Sequence, residues 1–571
     1  MGDLTGVKEV YVHRRAAKAG LPGSARVGSA DVAPATIRRI GRGAVALLAA
    51  GFLSNGCGHS SVPAQDAAPS QAPTDPALVQ TTTGALRGVV APDHRLFAGV
   101  PYAAPPVGKL RWQPPAPAQP WPGVRDATEV GPRCLQDVDD LEKGRHTDED
   151  CLTLNVWTPP VSEQRSPRPV MVWIHGGAFI NGSGGIYDSR WLASRGDVLV
   201  VTLNYRLGTM GFLAHPALGP AGAVGNYGLS DQQAALRWVR DNISAFGGDP
   251  ERVTIAGESA GGMAVCDHLV APESQGLFRA AIIQSAPCQA QVGLADAERI
   301  SLDYARDVGC PDPATAADCL RGLPAAALRE PVRYYRLGDE GISGPVTGTA
   351  VLPVDPMTAF ANGQAARVPV AIGSNRDEFT LFMALEYLRG RELVAAGYPK
   401  ALTDAFGADA TAVAGHYPLD GYDGSAPLAY SAAVTDSMFA CIDDRIAQEI
   451  GRTGPVYAYE FTDRQAPAPD PLRTLPFPVG ASHSLELRYL FDVGGAPPLN
   501  PAQQELSNQM IDYWSNFVRT GDPAVAGAPE WPELGHDPAA GNRLSLHPDG
   551  VSVVTDFDQI HQCPFWASLK R

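Results

Sequence analysis

Beyond its N-terminal leader, the sequence has no apolar run of about 18 residues or more, the length that a membrane-spanning helix needs. It also has few basic residues for its size, since 45 Lys and Arg against 61 Asp and Glu give a net charge of −16. Because phosphate binding needs a concentrated basic surface, we expect no nucleic-acid partner. No close group of Cys and His has the spacing of a zinc site, so we expect no metal.

The residues that are present suit a soluble globular protein with a large core. Hydrophobic residues make up 44% and charged residues 19% of the 571 positions, and 60 Gly with 51 Pro indicate many loops. Short apolar runs alternate with segments of helical spacing, which predicts an α/β fold with a large, mostly parallel sheet flanked by helices. The predicted strands are 170–174, 198–203, a run ending at Gly257, 280–283, 368–372 and 456–461, preceded by an N-terminal antiparallel hairpin with arms 78–82 and 86–90.

The first 57 residues resemble an N-terminal extension that ends in an export signal. Arg38 and Arg39 precede an apolar run at 44–53 that is too short to span a bilayer. Cys57 follows in a context that resembles a bacterial lipoprotein cleavage site, although Ser54 departs from the aliphatic residue expected there. The alternative is a secreted protein that is cleaved nearby.

We therefore predict three regions. Residues 1–57 form the extension and export signal, with Cys57 as a candidate lipid anchor. Residues 58–77, rich in Ser, Pro, Ala and Gln, form a flexible linker. Residues 78–571 form the folded domain.

A serine flanked by glycines is the motif around which the chemistry is organised. The run 257–261, Gly-Glu-Ser-Ala-Gly, follows a Val/Ile-rich segment, and glycines on both sides of Ser259 allow a sharp turn into a helix. This turn projects the hydroxyl from the edge of the sheet. Ser230 and Gln233 have the form of a capping box and predict the start of the helix that precedes this strand.

Serine is a poor nucleophile at neutral pH, so Ser259 needs a base and an acid that orients the base. The order serine, acid, histidine is typical of this strand, turn and helix setting. Asp377 and Glu378 follow a predicted strand, and either carboxylate is a candidate acid. His483, in a glycine-led loop after the strand at 456–461, is the leading base. The other histidines after the acid are His416, His536, His547 and His561, of which His536 and His547 lie in polar sequence that we expect to be exposed.

Two adjacent glycines provide the expected site for the negative charge that develops on a carbonyl oxygen under attack. Gly176 and Gly177 follow the strand at 170–174 and expose backbone N–H groups. With the N–H of Ala260 they are the candidate oxyanion donors. The alternative is a glycine turn that only lets strand and loop pack closely.

Together these motifs resemble those of the type-B carboxylesterases, a family of cholinesterase-like α/β-hydrolases. The resemblance covers about residues 78–567 and rests on 97–111, 149–156, 175–179, 257–262, 377–378, the His483 loop and 514–523. It implies an α/β-hydrolase fold with insertions. It also implies a triad of Ser259, Glu378 and His483, because the acid of the family is the second of the two carboxylates.

The resemblance implies supporting roles for two further residues. Glu258 lies beside the nucleophile, and the hydroxyl of Ser285 would hydrogen-bond Glu378. Phe379 and Ala286 replace glycines that are common in the family, which would reshape the pocket.

Nine cysteines in a chain that we expect to be exported favour disulfides over metal binding. The resemblance implies three bridges, Cys134–Cys151, Cys310–Cys319 and Cys441–Cys563. Cys266 and Cys288 either pair or stay reduced, and we expect buried free thiols.

The segment between Cys134 and Cys151 disfavours two classes of substrate. It has no Trp, Tyr or Phe that could stack on a choline cation, which disfavours choline esters. It is also too polar to form the apolar lid of a lipase, which disfavours long triglycerides.

The sequence thus predicts an exported serine carboxylesterase that acts on a small-molecule ester through an acyl-enzyme and needs no cofactor. A lipase, amidase or carbamate hydrolase would use the same residues. A non-catalytic binding module is the alternative outside enzymes, but such members of the family lose the serine or the histidine, and this chain keeps Ser259 and His483.

Overall fold

The computed structural model describes residues 75–136, 146–161, 166–337, 340–535 and 541–569. Asp75–Arg571 form one structural unit. The predicted extension at 1–57, including Cys57, and nearly all of the predicted linker at 58–77 lie outside the described residues. These assignments and the domain boundary at 78 stay predictions.

A large mixed sheet forms the centre of the unit. The described strands are β1 (Leu78–Gln80), β2 (Ala85–Arg87), β3 (Val89–Val90), β4 (Arg95–Pro101), β5 (Val124–Asp126), β6 (Arg133–Cys134), β7 (Thr147–Asp148), β8 (Thr153–Thr158), β9 (Arg168–Ile174), β10 (Leu199–Leu203), β11 (Gly248–Glu258), β12 (Ala280–Gln284), β13 (Val292–Gly293), β14 (Tyr335–Leu337), β15 (Glu340–Ile342), β16 (Val346–Thr347), β17 (Val370–Asn375), β18 (Val456–Phe461), β19 (Arg543–Leu546) and β20 (Ser552–Val554). Eleven of them form the main sheet in the order β20-β19-β18-β17-β12-β11-β9-β10-β8-β4-β3.

The middle of this sheet is parallel and its margins are antiparallel. Neighbours from β10 through β9, β11, β12, β17 and β18 to β19 run parallel. The strands β3, β4 and β8 on one side and β20 on the other join antiparallel. Every residue of β10, β12, β17 and β18 is buried, as expected for strands covered on both faces. The predicted α/β-hydrolase fold with a mostly parallel sheet is confirmed.

Helices follow most of the central strands. They are α1 (Arg190–Ser194), α2 (Gly208–Phe212), α3 (Tyr227–Asn242), α4 (Ala260–Val270), α5 (Leu294–Asp307), α6 (Ala316–Gly322), α7 (Pro356–Ala361), α8 (Thr380–Leu388), α9 (Tyr398–Phe406), α10 (Ala410–His416), α11 (Ala426–Thr435), α12 (Cys441–Gly451), α13 (Pro501–Thr520), α14 (Phe557–Ile560) and α15 (Cys563–Ser568), and a π-helical turn, Asp436–Ala440, joins α11 to α12. Across the described part of the chain, none of them is both long and apolar enough to cross a membrane.

The start of α3 differs from the prediction. The helix begins at Tyr227, so Ser230 lies inside it and donates its N–H to the carbonyl of Asn226. The Asn226 side chain donates to the Val346 carbonyl and the Thr349 hydroxyl. A capping box at Ser230 is therefore wrong, because contacts with a distant loop fix the chain one turn earlier.

The N-terminal hairpin is present but shorter than predicted. β1 and β2 pair antiparallel, whereas Val89 and Val90 belong to β3 at the edge of the main sheet. Gly88 separates the two strands, and a Cβ there would lie 2.4 Å from the carbonyl oxygen of Leu96. The predicted arm at 86–90 is thus divided at a residue whose backbone lies against β4.

Four disulfides cross-link the described residues. The three pairs expected from the resemblance are present: Cys134–Cys151, Cys310–Cys319 and Cys441–Cys563. Cys266 and Cys288 also form a disulfide, so the expectation of free thiols is wrong. Their Cα atoms lie 6.2 Å apart because α4 packs against the loop after β12, and this distance suits a bridge.

Candidate active site

Ser259 occupies the turn between β11 and α4. Its φ of 57° and ψ of −125° lie outside the conformations that ordinary residues prefer, as in a nucleophile elbow. The turn is tight, since a Cβ at Gly257 would lie 2.4 Å from the carbonyl carbon of Gly261. Ser259 is partly exposed between the buried Glu258 and Ala260. The backbone therefore holds the partly exposed Ser259 side chain at the carboxyl end of β11.

The glycine loop after β9 lies beside this serine. A Cβ at Gly176 would lie 3.0 Å from the Cβ of Ser259. Gly177 has a φ of 106° and contacts Asn181 so closely that a side chain would clash. The N–H groups of Gly177 and Ala260 donate to no other group among the described residues, whereas the N–H of Gly176 faces the hydroxyl of Tyr187. Gly177 and Ala260 therefore have N–H groups available to a negatively charged oxygen, and Gly176 would have to release Tyr187 to serve as a third donor.

His175 orients the glycine loop, a role that the sequence did not suggest. Its Nδ1 lies 2.8 Å from the carbonyl oxygen of Gly176, and Tyr205 stacks on its ring and donates its hydroxyl to the His175 carbonyl. Burial lowers the pKa of His175 to about 4. The ring is therefore neutral and donates from Nδ1, because a carbonyl oxygen only accepts. This bond fixes the peptide whose N–H belongs to Gly177.

His483 and Glu378 meet at the carboxyl ends of β17 and β18. His483 Nδ1 lies 2.5 Å from Glu378 Oε2, and both side chains are buried. The backbone N–H of Asn375 donates to the other carboxylate oxygen of Glu378. Asp377 instead accepts from Arg464 and from the N–H of Ala481. Of the two adjacent carboxylates, Glu378 is thus the one that contacts the histidine.

The far side of the His483 ring faces a second carboxylate. Its Nε2 lies 3.2 Å from Oε1 of Glu258, which also accepts from Ser484 Oγ. Burial alone would lower the pKa of His483, but the charges of Glu258 and Glu378 raise it to about 9. The Ser259 hydroxyl makes no hydrogen bond to any described residue. The imidazole of His483 therefore lies between Glu258 and Glu378, whose charges favour its protonated form, beside the turn of Ser259.

Comparison with known proteins identifies the family of the chain. The model of the carboxylesterase family matches residues 75–566. The chain belongs to the carboxylesterase family. It is 35% identical to the acylcarnitine hydrolase of Mus musculus, with 77% of this chain and 82% of that protein covered. It is also 35% identical to the cocaine esterase of Homo sapiens (79% and 85% covered) and to the fumonisin B1 esterase of Sphingopyxis macrogoltabida (81% and 85% covered). The chain is accordingly a carboxylic ester hydrolase.

A third buried carboxylate, which the sequence motifs did not indicate, lies near the histidine of this carboxylesterase. Glu486 accepts from the Asn375 side chain, 2.5 Å away, and from Gln284. Burial and the charges of Glu258 and Glu378 raise its pKa to about 8. Its position three residues after His483, in the short helical turn Leu485–Tyr489 that follows the histidine, was the available signal.

The expected hydrogen bond from Ser285 to Glu378 is absent. Ser285 is buried, but its Oγ has no hydrogen-bond partner among the described residues. The carboxylate of Glu378 is already bound by Asn375 and His483. The hydrogen bond on which the supporting role of Ser285 was based is therefore missing. The role itself stays a prediction.

Aromatic rings form a wall against the histidine of the carboxylesterase site. The ring centroids of Phe382 and Phe439 lie 5.2 and 5.4 Å from that of His483. Phe379, where the family commonly has glycine, stacks on Phe382 at 4.9 Å. Phe382 is partly exposed, so this side of the site offers an apolar surface.

The remaining candidate histidines lie elsewhere. His416 is exposed and stacks on Phe565, His547 has a side chain that is 39% exposed, and His561 is buried between Asp436 and Glu460. His536 lies outside the described residues. In the ranges that the structure describes, no group of three or more His, Cys, Asp or Glu side chains is placed to hold a metal ion.

Proposed function

We propose that this carboxylesterase hydrolyses small-molecule esters with Ser259 as nucleophile, His483 as general base and Glu378 as the acid that orients it. The observation that carries the proposal is the 2.5 Å contact between His483 Nδ1 and Glu378 Oε2 beside the turn of Ser259. Serine attack requires a base, and a carboxylate behind the base holds its tautomer and balances its charge.

The proposed reaction has two halves. Ser259 Oγ attacks the ester carbonyl and gives its proton to Nε2 of neutral His483, while the N–H groups of Gly176, Gly177 and Ala260 bind the oxyanion. The imidazolium then protonates the departing alcohol and leaves an acyl-enzyme. Water, deprotonated by His483, releases the acid. No cofactor takes part in these steps.

Glu258 tunes the first proton transfer. In the resting site its carboxylate lies 3.2 Å from Nε2 of His483, the atom that must receive the serine proton. We infer that His483 loses its proton and that Nε2 turns from Glu258 to Ser259 when substrate binds. Hydrogen bonds of catalytic groups commonly tighten only once substrate is bound.

The proposed substrates carry an apolar group next to the ester. Phe382 and Phe439 supply an apolar surface in contact with His483, and net charge disfavours strongly acidic substrates. The named relatives act on acylcarnitines, cocaine and fumonisin B1. Because these compounds differ widely, we assign none of them to this chain as its substrate.

The decisive experiment is hydrolysis of a panel of esters by the wild type and by Ser259→Ala, together with labelling by a fluorophosphonate probe. We expect the variant to lose labelling and about 10⁵-fold or more of kcat. Ser301→Ala, which changes a buried serine of α5 that the proposed mechanism does not use, is the matched control and should keep labelling. Unchanged ester hydrolysis by Ser259→Ala would contradict the proposal that Ser259 is the nucleophile.

We also propose that the protein is exported and that Cys57 carries a lipid. Four disulfides support an oxidising compartment. Expression in a bacterium with a labelled fatty acid should label the wild type but not Cys57→Ala. Equal release of both proteins into the medium without label would favour simple secretion.

A further inference from the structure

A second buried histidine lies between two carboxylates at the C-terminal end of the domain. His561 Nδ1 lies 2.5 Å from Asp436 Oδ1, and Nε2 lies 2.7 Å from Glu460 Oε1. The residue is only 2% exposed. Because each ring nitrogen contacts a carboxylate oxygen, which only accepts, both nitrogens donate and the ring is a charged imidazolium.

One carboxylate leads to the loop of the proposed catalytic acid. Glu460 lies near the end of β18 and accepts from Arg376, whose Nη1 lies 3.1 Å from Oε2. Arg376 also donates its backbone N–H to the Phe461 carbonyl. Since Arg376 stands two positions before Glu378, His561 and Glu460 hold the base of the loop that carries the acid.

The other carboxylate leads to the aromatic wall. Asp436 begins the π-helical turn that carries Phe439, the residue that packs on the ring of His483. The preceding residue, Thr435, accepts from the backbone N–H of Phe379, directly after the acid. His561 therefore joins two segments that contact opposite members of the Glu378–His483 pair.

Further charged and titratable groups face this cluster from each element around it. Tyr417 donates to the second oxygen of Asp436 and accepts from Trp566, and Arg376 faces Glu460. Asp444 and Asp558 add negative charge on the side of α12 and α14, and Arg543, which pairs with Asp444, lies over Phe557. Carboxylates dominate the surroundings, which favours the charged form of the ring.

From this geometry we propose that His561 is a positioning residue for ester hydrolysis. Its imidazolium holds the acid loop and the π-helical turn in register, and so sets the orientation of Glu378 and Phe439 around His483. The inference rests on the proposed triad. The C-terminal turn that carries His561 would then contribute to turnover as well as to the stability of the fold.

The pH dependence follows from the charges. Burial opposes the charged form, but Asp436 and Glu460 raise the pKa of His561 to about 9. A raised pKa means that the stabilising contribution is complete below the ordinary histidine value of about 6.5 and is lost as the pH rises through about 9. The stability difference between wild type and a variant without the imidazole is therefore largest at neutral or lower pH.

The test compares His561→Gln with His416→Gln in the full chain. His416 contacts the same C-terminal turn, through Gln562 at 2.6 Å and through stacking on Phe565, but it contacts neither carboxylate. Glutamine at 561 cannot donate to two carboxylates from opposite sides. We expect kcat to fall about 10- to 100-fold in His561→Gln with KM within about twofold, and both constants to stay near wild type in the control.

Two further readouts separate positioning from simple loss of stability. The 2.5 Å contact with Glu378 predicts a strongly deshielded Nδ1 proton on His483. This resonance, measured by NMR below the melting temperature, should shift or broaden in His561→Gln and not in His416→Gln. The Tm difference between His561→Gln and wild type should shrink above pH 9. If His561→Gln does not fold, Asp436→Asn replaces it, with a smaller loss of kcat expected.

Wild-type kcat and an unchanged His483 resonance in a folded His561→Gln would overturn the inference, as would wild-type kcat in Asp436→Asn when that variant is used. Activity in Ser259→Ala would instead overturn the proposed function, so the two failures are distinguishable.

Discussion

Two buried histidines of this carboxylesterase each lie between two carboxylates, yet they stand in different surroundings. His483 contacts Glu378 and Glu258, and His561 contacts Asp436 and Glu460, with both pKa values raised to about 9. Only the first lies beside a strained, partly exposed serine and a loop with available N–H groups. A histidine between two carboxylates therefore does not identify an active site by itself. A nucleophile and oxyanion donors must lie beside it.

Replacing each histidine in turn should give the largest difference between the two sites. His483→Gln should lower kcat by about 10⁵-fold, since the variant has no base for Ser259. His561→Gln should lose no more than about 100-fold, because the base remains and only its setting changes. Steady-state kinetics on one ester checks both, and similar losses in the two variants would contradict the distinction.

The two carboxylates at the acid position allow the next comparison. Glu378→Gln should lower kcat roughly 10³- to 10⁴-fold, because the amide no longer holds the correct tautomer of His483. Asp377→Asn should lose less than about tenfold, since its carboxylate binds Arg464 and the backbone of Ala481 instead. The reverse order in kcat would reassign the acid.

The pH profile tests the electrostatic part of the comparison. His483 accepts a proton only in its neutral form, and its pKa is raised to about 9, so kcat/KM should rise with pH up to about 9. Glu258→Gln removes one of the charges that raise this pKa and should move the rising limb to lower pH. Glu460→Gln, which changes a carboxylate beside His561, should leave the rising limb of the pH profile unchanged. A shift of the limb in this variant would show that the charges around His561 act on His483.

The smallest effect on activity is expected from removing the disulfides Cys266–Cys288 and Cys441–Cys563, which should mainly change stability. Cys266→Ala/Cys288→Ala should lower the free energy of unfolding by about 3 kcal/mol, and Cys441→Ala/Cys563→Ala by about 5 kcal/mol, because the second bridge closes a longer loop. Sequence separations of 22 and 122 residues set this order. Chemical denaturation measures both, and an equal loss would show that chain entropy does not dominate.

Much of the site was predictable because it depends on local patterns. The glycines around Ser259, the paired glycines after β9 and the order of serine, acid and histidine predicted the candidate residues, and the resemblance to the family selected Glu378 over Asp377. Two expectations differ from the structure because contacts between distant residues intervene. Asn226 moved the start of α3, and the hydroxyl of Ser285 lies without a hydrogen-bond partner near a carboxylate already bound by Asn375 and His483.

The sequence by itself determined the alternation of strands and helices, the sharp turn at Ser259 and the candidates for base and acid, because hydrophobic period and glycine placement act within a few residues. Only the tertiary structure decided which carboxylate contacts His483, that Cys266 meets Cys288, and that His561 lies between Asp436 and Glu460. These outcomes depend on distances between residues that are far apart along the chain, and packing of the helices against the sheet sets those distances.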